Sequence, residues 1–124
     1  MRWEGAECWE LAIAHRRGPS ALILRRQMHE SIRRTAGSNR GAAGAFLLAE
    51  AESPRAVTIL ATRTEVALAM RARAMLAKEG IAVAVISRPS WALFEQQPRA
   101  VGEAILSPAP RIGLEAAVRL GWDR

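Results

Sequence analysis

Between Val57 and Ile86 two apolar runs flank a helical pattern, and that arrangement leaves few folds open. Val57-Thr58-Ile59-Leu60-Ala61 and Ile81-Ala82-Val83-Ala84-Val85-Ile86 are near-continuous rather than alternating. Such runs mark strands covered on both faces, as in a parallel sheet. Parallel neighbours cannot be joined by a tight turn and need a crossover, usually a helix. The residues between supply one. Thr62-Arg63-Thr64-Glu65 turns the first strand into a helix, with Thr64 suited to the N-cap and Glu65 to the positive N-terminal end. Val66, Ala69, Met70, Ala74 and Leu76 build an apolar face through to Lys78, and Gly80 occupies the usual C′ position. Val57 to Ile86 therefore reads as one βαβ unit of the expected ~30 residues.

The flanking segments extend this unit into an α/β domain. Ala45 to Ala49 is a strand, Ser90 caps a short helix holding Trp91, Leu93 and Phe94, and Val101 to Leu106 is helical. Arg111 to Leu114 is one more strand, and Glu115 to Leu120 is a helical or loop exit. The expected fold is a three-layer, mostly parallel α/β sheet over Ala45 to Glu115. Upstream, Ala6 to His15 reads as a helix with Trp9, Ala12 and Ile13 as its apolar stripe. Arg16-Arg17 suit its last turn, Gly18-Pro19 stop it, and Ser20 to Leu24 follows as a short strand. A lone helix and strand cannot bury themselves, so they are expected to stand apart from the sheet or to pack loosely on it. Arg25 to Gly44 is polar and rich in Gly, Ser and Arg, with Met28 to Arg34 able to form one or two helical turns and Thr35 to Gly44 reading as linker. The organisation expected is residues 1–27, a linker over 28–44, and a domain over 45–124.

Several function classes drop out. A chain of 124 residues holds one small domain. No apolar run approaches the ~20 residues of a membrane span, and the N-terminus lacks a basic region followed by an apolar stretch, so a cytoplasmic protein is expected. Cys8 is the single cysteine, which excludes an internal disulfide and a cysteine metal cage. His15 and His29 have no ligand-like spacing to a carboxylate or thiol, so no metal site is expected. The formal charge is +6, but the arginines are spread along the chain with few aromatics between them to stack on bases, so no nucleic-acid partner is expected. Glu50 and Glu52, or Glu65 and Glu79, read as solvated carboxylates, and Trp91 with Phe94 as core anchors.

Taken in order, these segments resemble the transketolase family. Glu7-Cys8-Trp9-Glu10-Leu11-Ala12 with Gly18-Pro19-Ser20-Ala21-Leu22-Ile23-Leu24 is similar to the last helix and strand of the family's pyrimidine-binding domain. There the strand leads into a Ser-Arg-Gln motif, and this chain has Arg25-Arg26-Gln27. Gly44 to Glu50 resembles the strand that opens the family's C-terminal domain. Thr58 to Val66 resembles the strand ending in Ala-Thr-Gly-Ser-Glu-Val, with Arg63 in place of the glycine. Ala82 to Phe94 resembles the next strand and a Ser-x-Pro turn, and Pro110 to Ala116 an Arg-x-x-x-Glu-Ala segment.

The resemblance implies a thiamine-diphosphate enzyme that moves a two-carbon ketol unit between sugar phosphates, with a divalent metal holding the cofactor. It also implies that the cofactor- and metal-binding domain, the activating glutamate and the sugar-contacting histidines lie upstream, and that the family domain continues past Trp122. The chain is accordingly expected to be truncated at both ends, to hold no catalytic residue, to bind neither cofactor nor metal alone, and to be inactive alone. Its partners would be the missing transketolase portion or further copies of itself. By the same resemblance Arg26 contacts the substrate phosphate, a task suited to the planar fork of guanidinium. Arg63 and Arg88 both follow strand C-termini near helix N-termini, where open α/β sheets bind anions, and form a second candidate site. Two other readings stand beside the fragment: one subunit of a split transketolase, or a non-catalytic module that binds an anion or a protein.

Overall fold

The computed structural model describes residues 2–24, 37–62, 64–116, 118 and 122. In chain order they form α1 (Arg2–Ala14), a 3₁₀ turn (Arg40–Ala43), β1 (Phe46–Ala49), β2 (Val57–Ala61), α2 (Glu65–Lys78), β3 (Val83–Ser87), α3 (Trp91–Glu95), α4 (Arg99–Leu106) and β4 (Arg111–Leu114). The sheet order is β1-β3-β2-β4. β2 lies parallel to β3 in a register running from Val57↔Val83 to Ala61↔Ser87, and parallel to β4 from Thr58↔Arg111 to Ala61↔Leu114. β1 runs antiparallel to β3, with a register shift between Leu47 and Ala49.

Alternation along β2 and β3 divides the core into two layers. Ile59, Ala61, Val83 and Val85 face α2, where they pack with Val66 and Ala69. Leu60 and Ile86 face the other side with Ala45, and Phe94, Ile105, Leu106 and Trp122 close over them. Continuous apolar runs are thus what two helical layers require. Thr58, the polar residue of β2, is fully buried and donates its hydroxyl to Leu106 O at 3.3 Å.

Several elements differ in detail from expectation. The strand read as Ile81 to Ile86 starts at Val83, because Ile81 N–H closes α2 by bonding Leu76 O at 3.0 Å. Gly80, at φ +75°, donates to Ala77 O at 3.1 Å, and the two bonds together form a Schellman cap. Thr64 holds the N-cap place of α2 without capping it. Its backbone is already helical, and its hydroxyl turns to Glu65 Oε1 at 2.9 Å. Ala74 is exposed rather than on the packed face. Ser20 to Leu24 is not a strand. A strand needs a neighbour to take its N–H and C=O groups, and none of the described strands lies beside it. Ser90, as expected, caps α3 by accepting from Leu93 N at 3.3 Å.

Of the two arrangements expected for α1, standing apart or packing loosely, the structure has the second. Glu7 Oε2 accepts from Gly41 N at 3.1 Å, Asn39 Nδ2 reaches Glu7 O and Glu10 Oε2, and Ser87 Oγ donates to Glu4 Oε1 at 2.6 Å. The helix is held by polar bonds rather than by its apolar stripe. Trp9 remains 51% exposed and Ile13 68%.

Gly44 ends the 3₁₀ turn at φ +77° and bonds Ser90 N–H through its carbonyl at 3.0 Å. An added Cβ would lie 2.2 Å from Phe94 N and 2.5 Å from Ser90 O. Gly44→Ala is therefore expected to cost at least ~1 kcal/mol from the left-handed backbone alone. The backbone clash should double that or more. Thermal melts should fall by roughly 4 °C per kcal/mol, and a melt matching wild type would refute the close approach.

Arg55 clamps Glu50 bidentately at 2.6 and 2.7 Å and donates a third bond to Ile105 O at 2.8 Å. The Arg55 hydrogen bonds lower the Glu50 pKa from 4.5 to about 2. A carboxyl whose pKa is depressed by folding stabilises the fold above its unfolded value, and that contribution is lost as pH falls through the folded one. Wild type should thus lose stability between about pH 4.5 and 2, and Glu50→Gln should flatten that part of a pH-resolved denaturation series. Superimposable slopes would refute the assignment.

Candidate functional site

Chemistry-bearing side chains gather at the C-terminal ends of β2 and β3. Backbone groups fix this end: Arg88 N–H bonds Ala61 O at 3.0 Å, and Glu65 N–H bonds Thr62 O at 3.1 Å. Buried Thr62 donates its hydroxyl to Glu115, and buried Ser87 donates to Glu4. The strand ends are thereby tied to α1 on one side and to the segment after β4 on the other.

Arg88 is only 5% exposed. Its guanidinium lies 3.9 Å from the Trp91 ring centroid, 5.0 Å from that of Phe94 and 6.0 Å from that of Trp122. Trp91 and Trp122 meet edge to face at 4.7 Å. Trp122 in turn covers Gly113, where a Cβ would come within 2.8 Å of its ring. Arg88 Nε is buried without a hydrogen-bond partner. Burial pushes the Arg88 pKa down, and the charge of Glu95 opposes that. The ring faces, negative in their quadrupole, receive the cation.

Of the residues singled out from sequence, Arg26, with its neighbours Arg25 and Gln27, and Arg63 lie outside the described residues. Arg88 faces a box of aromatic rings. Sequence reasoning gave Trp91 and Phe94 as core anchors but missed their common contact with Arg88, and missed Trp122 as its third wall. No local signal marks that box, since Trp122 closes it from a distant part of the chain. Glu4, Glu7 and Glu10 were also missed, although their spacing of three places them along one flank of α1. Cys8 sits beside them, half-buried, and burial followed by the charges of Glu4 and Glu7 raises its pKa, so the thiol is unreactive in character.

Among the described residues no group of three or more His, Cys, Asp and Glu side chains could hold a metal ion. A cleft of about 270 Å³ opens at the other end of the sheet. Its guanidinium, Arg73, is spent on Val83 O at 3.1 Å and Glu50 O at 2.7 Å. The described residues do not fit a diphosphate held through a metal. No described helix is long and apolar enough to cross a membrane.

The family model described as "Transketolase-like TK C-terminal domain" matches residues 44–124. The chain is 51% identical over 123 residues to a transketolase of Sinorhizobium medicae and 44% identical over 121 residues to one of Cereibacter sphaeroides. These alignments take in 98% and 97% of this chain but 18% of each relative's length. Among solved structures, transketolase from Leishmania mexicana superposes with a TM-score of 0.88 at 30% identity, over 99% of this chain and 18% of that one. Transketolase from Campylobacter jejuni gives 0.81 at 33%, over 92% and 17%.

The box around Arg88 can be weighed by magnitudes. A cation over aromatic rings gains about 0.5–2 kcal/mol. Burying an ion without a full set of partners costs several kcal/mol. Arg88→Met keeps the length of the side chain and removes the charge, so its thermal midpoint should equal or exceed wild type. Arg88→Ala should lower it, by about 2 kcal/mol or more, because a cavity opens under the rings. An Arg88→Met protein that melts as low as Arg88→Ala would show that the cation itself holds the box together.

Proposed function

Because the chain belongs to the transketolase family through its C-terminal domain, we propose that it serves ketol transfer between sugar phosphates as one part of a larger transketolase assembly. The reading is supported by apolar residues left bare in the N-terminal part of the chain: Trp9, Ile13, Ile23 and Leu24 are all more than half exposed. The largest patches on monomers of this size are otherwise functional. That surface is where the remainder of a transketolase packs, either on the same chain or as a separate subunit. Each such side chain, once covered, contributes about 1.5–3 kcal/mol, so the patch is enough to hold an assembly together.

Within that assembly the cofactor supplies the carbanion chemistry, and residues of this chain act at its margin. Arg26 takes the phosphate of the sugar substrate, bidentately. Arg25 beside it adds charge where the family motif has serine. A location in the cytoplasm and a place in sugar-phosphate metabolism follow from the same reading.

Calorimetry of the purified chain with thiamine diphosphate and magnesium should give no heat of binding, and ketol transfer should be absent until the rest of a transketolase is supplied. In the complemented enzyme, Arg26→Leu should raise KM for the phosphorylated sugar at least ~10-fold, the loss of a charge-assisted contact. Micromolar cofactor binding by the chain alone would overturn the proposal.

A further inference from the structure

We draw no further inference here: the strongest candidate, the buried Arg88 guanidinium after the C-terminal end of β3, with its unpartnered Nε under the rings of Trp91, Phe94 and Trp122, belongs to the side-chain cluster already described, and nothing in the structure shows what ligand it would meet.

Discussion

The rest of the structure depends on the parallel pairing of β2 with β3, two short strands buried on both faces. Every backbone group of such a pair must find a protein partner, because water reaches neither side. The ladder from Val57↔Val83 to Ala61↔Ser87 supplies those partners within the sheet. The side chains then dictate what covers it: α2 on the Ile59, Ala61 and Val85 face, α3 and α4 on the Leu60 and Ile86 face. Thr58 and Thr62 can be buried in this pair only because Leu106 O and Glu115 lie within reach of their hydroxyls.

From that pair outward the balance of forces changes. The sheet and the helices on its faces are held by apolar area, while α1 is held by single polar bonds. α1 is fixed by carboxylates that reach Gly41 N–H, Asn39 and Ser87 while Trp9 and Ile13 face solvent. β1, already laddered to β3, gains a further bond from Arg40, and the loop after it is tied to Ile105 O by Arg55. Polar bonds of this kind add about 1 kcal/mol each. They orient an element without burying it, which suits surfaces that have still to meet a partner. The exposed Trp9 and Ile13 of α1 form such a surface.

Legibility in the sequence followed the same division. The βαβ unit, the cap at Ser90, the left-handed Gly80 and the strand at Arg111 to Leu114 were each readable, because local periodicity and turn chemistry act within a few residues. The strand at Ser20 to Leu24 was misread for an equally definite reason: an apolar run satisfies the pattern of a strand, but strand structure exists only where a neighbour completes the ladder. The start of β3 was misplaced by two residues because the Schellman bond from Ile81 competes for the same backbone. Arg88 was read with Arg63 as a candidate anion site after a strand, since nothing near it in sequence announces rings on three sides.

By itself the sequence determined the α/β class, the crossover that joins the two central strands, and the kinship of the whole ordered series of segments with transketolase. Those properties are set by patterns of spacing, and a pattern survives wherever the chain is folded around it. Only the tertiary structure decided that Glu4 and Glu7 rather than Trp9 dock the first helix, and that Trp122 walls in Arg88 over Gly113. Each of these is a contact between residues distant in the chain, and its existence depends on distances that no local rule contains.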